Sequence, residues 1–216
     1  MTPGKRDFIP ALKYDVLTPL YDVAIHLTLP EVSFKRRLLA AAGIGVGQRA
    51  LDMGCGTGTL LRLAAQSHPD AEFVGLDPDP NILTRAKKKL GRFQNVDLNE
   101  GSATALPYPA STFDRVLSSL VFHHLSGEQK LIAFQEILRV LRPRGELHIA
   151  DFGAPHTCTM RVLSMLVEKV GREHVTENFR GLLPAMLSEA GFREVGETAH
   201  FATIFGTIQL LKGTRT

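Results

Sequence analysis

From Arg49 onward the sequence alternates short apolar runs with amphipathic helical stretches, and that alternation restricts the fold more than any other feature. "RALDM", "EFVGLD", "VDLNEG", "DRVLSSL" and "ELHIADF" read as five strands. Between them, Asp79 and Pro80 form an N-cap and first helical position, with Ile82, Leu83, Ala86 and Leu90 on one apolar face and Gly91 as the stop. Ser126 and Gln129 have capping-box spacing ahead of a stripe of Leu131, Phe134, Leu138 and Leu141, and Pro143 bars further extension. Leu183, Met186, Leu187 and Ala190 give one more helix, ended by Gly191. Strands separated by helices are parallel. The tail "REVGETAHFATIFGTIQLLKG" has two strand patterns with no helix between them, so these are antiparallel. The expectation is a doubly wound α/β fold: a mostly parallel sheet with helices on both faces and a final antiparallel hairpin. Residues 47–216 form the main domain. Residues 1–46 are expected to form an N-terminal helical cap or substrate-access segment that closes with the helix "EVSFKRRLLAAAG".

Composition narrows the classes. With 216 residues and 44% apolar content, the chain can bury a core without staples. Its apolar stretches are broken by charge or glycine before they reach membrane-spanning length, and the amino terminus has no signal-peptide block. A cytoplasmic protein without integral membrane association is expected. Cys55 and Cys158 have neither metal-ligand nor disulfide-framework spacing, so no metal is expected. Net charge is +3, and the densest basic run, "RAKKKLGR", sits at the end of a helix, where cations favour the dipole. A nucleic-acid partner is not expected.

In doubly wound sheets ligands bind beyond the carboxyl ends of the strands. The turn "LDMGCGTG" lies at such an end. A dinucleotide fingerprint needs its third glycine at position 59, which is Thr59; the glycine comes one residue early, at Gly58. A triphosphate loop needs a lysine that is absent. Asp52, two positions before Gly54, would repel a pyrophosphate but can accept hydrogen bonds from an ammonium. Asp77 ends the second strand, where an acid can bind both hydroxyls of a ribose. The pattern calls for a cationic nucleoside with a free diol.

"LDMGCGTG", the acid in "GLDPDP", "GSATALPYPASTFDRVLSSLVFHHL" and "ILRVLRPRGELHIADFG" resemble class I S-adenosylmethionine-dependent methyltransferases over about residues 46–216. The likeness is nearest to the small-molecule branch that includes ubiquinone/menaquinone C-methyltransferases. It implies a seven-stranded sheet and S-adenosylmethionine as cofactor, leaving as S-adenosylhomocysteine. It assigns Gly54, Gly56 and Gly58 to the cofactor loop, and Asp77, with Pro78 beside it, to the ribose. Ser102 and Ala103 fall at the adenine and Ser119 at the methionyl arm. Two departures stand out. Ser102 replaces the usual aspartate, and "FHHL" stands where the quinone enzymes carry an arginine-asparagine pair, so the resemblance does not carry the quinone substrate over.

Methyl transfer from a sulfonium is an in-line displacement governed by alignment, and a base is needed only where the acceptor must lose a proton. His123 and His124 lie just beyond the fourth strand, where either can act as base or orienter. Alternatively, one packs inward while the other bonds a loop carbonyl. Asp151, ending the fifth strand, either faces the site or caps the next segment. Tyr14 and Tyr21, each followed by Asp, compete to close over the cofactor, as a Tyr-Asp does in related enzymes, or simply pack the extension. The stripe Leu163, Leu166, Val167 and Val170 is a substrate-lid candidate. The resulting expectation is a methyltransferase for a small, lipophilic acceptor, monomeric or homodimeric. The competing reading is a non-catalytic sensor that binds the same cofactor.

Overall fold

The computed structural model describes residues 31–157, 161, 176–203 and 206–216. Seven strands, β1 (Arg49–Met53), β2 (Glu72–Asp77), β3 (Val96–Glu100), β4 (Phe113–Ser119), β5 (Leu141–Gly153), β6 (Arg193–Thr203) and β7 (Gly206–Thr214), form one sheet in the order β3-β2-β1-β4-β5-β7-β6. β1 to β5 are mutually parallel, whereas β7 runs antiparallel between β5 and β6. The order reverses between β1 and β4, which opens the crevice where such sheets bind ligands.

One face is covered by α1 (Glu31–Ala42), α2 (Thr59–Ser67) and α3 (Pro80–Leu90), packed over Ala50, Phe73 and Leu117. α1 buries Phe34 and Leu38 completely, so this part of the amino-terminal segment shares the domain's own core. The other face carries α4 (Gly127–Val140) and α6 (Leu183–Ala190), with the short α5 (Thr176–Phe179) ahead of α6.

The helix punctuation acts through the expected hydrogen bonds. Asp79 accepts from the backbone N–H groups of Asn81 and Ile82. At α4 the Ser126 hydroxyl accepts from Gln129 N while the Gln129 side chain accepts from Ser126 N, satisfying two otherwise unpaired donors. The expected α4 stripe is off by one position. Ala133, Phe134, Ile137 and Val140 are the buried face, Leu131 and Leu138 are its half-buried flanks, and Leu141 already belongs to β5. Gly91 ends α3 in a right-handed conformation rather than a left-handed cap, whereas Gly191 is left-handed, with φ 112°. β3 is a largely exposed edge strand.

Candidate functional site

The three glycines after β1 all have positive φ, 73°, 53° and 77° at Gly54, Gly56 and Gly58, a region costly for any residue with a Cβ. Their surroundings differ. A Cβ on Gly54 would run into Val121 Cγ2, so the turn after β4 packs directly on the loop. On Gly58 it would sit 2.6 Å from Leu90 Cδ1, locking the loop against α3. On Gly56 it would meet nothing within 4 Å. Gly56 therefore lines open space. Substituting it will show that difference: Gly58→Ala is expected to destabilise the fold by about 2–3 kcal/mol through overpacking. Gly56→Ala is expected to cost only about 1 kcal/mol in stability while weakening cofactor binding at least tenfold. Chemical denaturation and calorimetry read the two effects separately.

Asp77 holds this loop in shape. Its Oδ2 accepts from Gly56 N at 2.9 Å and its Oδ1 from Asp79 N at 3.0 Å. Burial raises its pKa, opposed by those two hydrogen bonds. Lys89 bridges to Thr57 and Thr59 from α3. Cys55 is buried beneath the loop and burial pushes its thiol up, so it is an unreactive filler.

Asp52 is 1% exposed, and neither of its carboxylate oxygens has a hydrogen-bond partner among the described residues. Burial pushes its carboxyl up to about 7, against the opposing charge of Lys35 on α1 and with a smaller contribution from Asp77. By strand register Asp52 shares a sheet face with Leu117, and therefore with Ser119, whose buried hydroxyl also has no partner among the described residues. Buried polar groups are almost always paired. Two orphaned ones beside an open glycine turn suit a ligand that brings its own donors, as the ammonium of a methionyl group does.

Beyond β4, Leu120 adopts a left-handed conformation, φ 60°, and turns the chain across the end of the sheet. The next residues form a short 3-10 turn, Phe122–His124. Asp151, fully buried at the end of β5, organises this turn. Its Oδ2 accepts from the backbone N–H groups of Val121 and Phe122 at 3.0 and 2.8 Å. Its Oδ1 pairs with His123 Nδ1 at 2.9 Å and accepts from Phe152 N and Asn178 Nδ2. Burial works to raise the Asp151 pKa, but His123 and these hydrogen bonds outweigh it, so the carboxyl is held below its ordinary value. An ionised carboxylate only accepts, so Nδ1 carries a proton, and in the neutral imidazole the lone pair is on Nε2. The His123 ring is held edge-on to Phe152 and lies against His124, at centroid distances of 5.0 and 3.9 Å. His124 is exposed.

The structure thus brings Asp52, Asp77, Ser119, the three glycines, His123 and Asp151 to one end of the sheet. Asp151 caps the turn that carries His123 and also accepts from Phe152 N at the start of the segment that follows it. Ser102 bonds Thr104 within its own turn, through the Thr104 hydroxyl at 2.9 Å and backbone N–H at 3.2 Å, and Ala103 packs on the α4 face. Tyr14, Tyr21, Cys158 and the stripe from Leu163 to Val170 lie outside the described residues. Two groups escaped the sequence reading. Lys35 acts on Asp52 from α1, and Asn178, fully buried on α5, reaches Asp151.

Comparison with known proteins agrees. A methyltransferase-domain family model matches residues 50–145. The chain is 29% identical over 211 residues to the ubiquinone/menaquinone biosynthesis C-methyltransferase UbiE of Cronobacter sakazakii, covering 86% of this chain and 80% of that one. It is 35% identical over 155 residues to a demethylmenaquinone methyltransferase of Renibacterium salmoninarum, covering 70% and 62% respectively. In fold it matches a S-adenosylmethionine-dependent methyltransferase from Aquifex aeolicus with a TM-score of 0.67 at 21% identity, covering 94% of this chain and all of that one. Sequence kinship and sheet order converge: the chain is a class I S-adenosylmethionine-dependent methyltransferase, similar in type to the UbiE C-methyltransferases.

Proposed function

We propose that this enzyme methylates a small, apolar aromatic acceptor of the hydroquinone class, with His123 as general base and Asp151 as the residue that positions it. The His123–Asp151 pair carries the reading. A base is superfluous for an amine acceptor that presents its lone pair, but a ring hydroxyl must lose its proton before the ring becomes strongly nucleophilic. When bound, S-adenosylmethionine supplies an electrophilic methyl group with a good leaving group. In this proposal Asp52 and Ser119 hold its methionyl end, Asp77 and Pro78 the ribose, and Ser102 and Ala103 the adenine. Contact between Val121 and Gly54 couples the His123 turn to the cofactor loop, so His123 Nε2 accepts the hydroxyl proton beside the methyl donor. The names of the two relatives support a quinone-type acceptor. "FHHL", where the resemblance to quinone enzymes leads one to expect an arginine-asparagine pair, points to different contacts around it.

Among the described residues no helix is long and apolar enough to cross a membrane. We place the enzyme in the cytoplasm, as a monomer or homodimer acting on a small molecule rather than on nucleic acid, a reading supported by its modest net charge of +3. The test is methyl transfer from labelled cofactor to short-chain naphtho- and benzohydroquinones, with dimethylaminoethanol as an amine control. Label on a ring carbon or ring oxygen, lost in His123→Gln, is the expected result. Label only in the amine overturns the proposal, as does cofactor binding with no transfer to any acceptor.

A further inference from the structure

At the far edge of the sheet, three side chains with metal-binding atoms converge: His156, Glu197 and His200. Their arrangement depends on an irregularity in β6. Residues 197 and 200 are three apart and would point to opposite faces of a regular strand. Here Glu197 pairs with Leu211 and Ala199 with Leu210, so Thr198 is an extra residue in the ladder. That bulge resets the alternation and puts Glu197 and His200 on the same face, opposite Leu211 and Gln209. His156, in the chain leaving β5, comes to the same spot. His200 Nδ1 lies 2.8 Å and His156 Nε2 3.6 Å from Glu197 Oε1. The two imidazole rings stack, with centroids 3.9 Å apart and planes 16° apart.

The carboxylate is oriented from behind. Gln209 Nε2 donates to Glu197 Oε2 at 2.7 Å, leaving Oε1 turned toward both histidines. This is the outer-shell support that fixes a ligand carboxylate in metal sites. All three ligand atoms lie within 4.8 Å of one another. Tetrahedral coordination at about 2.0–2.1 Å per bond separates neighbouring ligands by roughly 3.3–3.4 Å, so small side-chain rotations suffice.

We propose that His156, Glu197 and His200 bind one divalent metal ion of borderline softness, which clasps the chain leaving β5 to the edge strand β6. Two imidazoles and one carboxylate select zinc, copper, nickel or cobalt over magnesium or calcium, which prefer all-oxygen sites. The fourth position is left to water. By register the site lies two strands from Asp151, across Gln209, and its test reads metal binding directly, so the inference stands or falls independently of the acceptor.

The experiment uses the untagged full chain, stripped with chelator and titrated with zinc chloride by calorimetry, with a parallel thermal melt. The expected result is one ion per chain with a Kd on the order of micromolar, a rise of several degrees in Tm, and no response to magnesium. The double variant His156→Ala/His200→Ala is expected to lose both responses, while His68→Ala keeps them. Zinc binding that survives in the double variant overturns the proposal, as does the absence of binding at tenfold excess over protein.

Discussion

Asp52→Asn will make the free enzyme more stable and the cofactor complex weaker. Asp52 is buried with no hydrogen-bond partner among the described residues, and its carboxyl is pushed up to about 7 from an ordinary value of 3.8. A folded-state pKa above the unfolded one means that the folded protein favours the protonated acid. Stability from this group is complete below about pH 4, drains away as pH rises toward 7, and stays lost above that. Asparagine has the same shape and never ionises. The variant should match wild type near pH 4 and exceed it by roughly 2–4 kcal/mol at pH 8, read as a Tm higher by roughly 5–10 °C. Binding moves the other way, because a cationic ammonium needs the ionised carboxylate. Wild-type affinity for S-adenosylmethionine is expected to drop about tenfold from pH 8 to pH 6. The variant should bind roughly a hundredfold more weakly at pH 8 with a flat pH profile over that range. A variant that binds like wild type at pH 8 removes Asp52 from the cofactor site.

The second large effect belongs to Asp151→Asn. An amide can present its N–H to His123 Nδ1, which draws the ring into the tautomer with its proton on Nε2 and takes away the lone pair needed there. Loss of about 10²–10⁴ in kcat is expected, with KM for the cofactor changed less than about threefold. His123→Gln should show a similar loss, and the two together little more than either alone. A stability cost accompanies the Asp151 change, since its carboxylate accepts from four other groups besides His123. Because its pKa is held below the ordinary value, that contribution is present at neutral pH and vanishes only in acid. Assays belong at a temperature where a melt shows the variant folded. Unchanged kcat in the folded variant would reduce Asp151 to a turn cap.

Much of the frame is legible in the sequence because it is written locally. Capping residues such as Asp79, Ser126 and Gln129 act within one helical turn, and the period of apolar residues separates strands from helices. The α4 stripe is not legible, because Leu131 and Leu138 are as apolar as the residues that pack. Only the direction in which α4 meets β5 selects Ala133 and Ile137 instead. The glycine turn after β1 is legible through Gly54, Gly56 and Gly58, whose spacing is itself the signal. The partner of His123 is not, since Asp151 lies 28 positions away. Yet the topology held a clue: Ser119 pairs with Ala150 in neighbouring parallel strands, so the residues just past each must meet. Lys35 and Asn178 gave no signal, because a lone cation or amide in a helix reads as surface.

Asp151 also joins two points of the chain. The strand that carries it ends at Gly153, and Asn178, whose amide it binds, follows the start of α5 at Thr176. Lys130, buried on α4, grips the neighbouring Glu177 at 2.6 Å. Departure and return are therefore fastened at the same place, beside the imidazole. With both ends held, Asp151 and Asn178 keep their contact whatever number of residues joins them. His123 and Asp151 are thus held in register from both flanks at once.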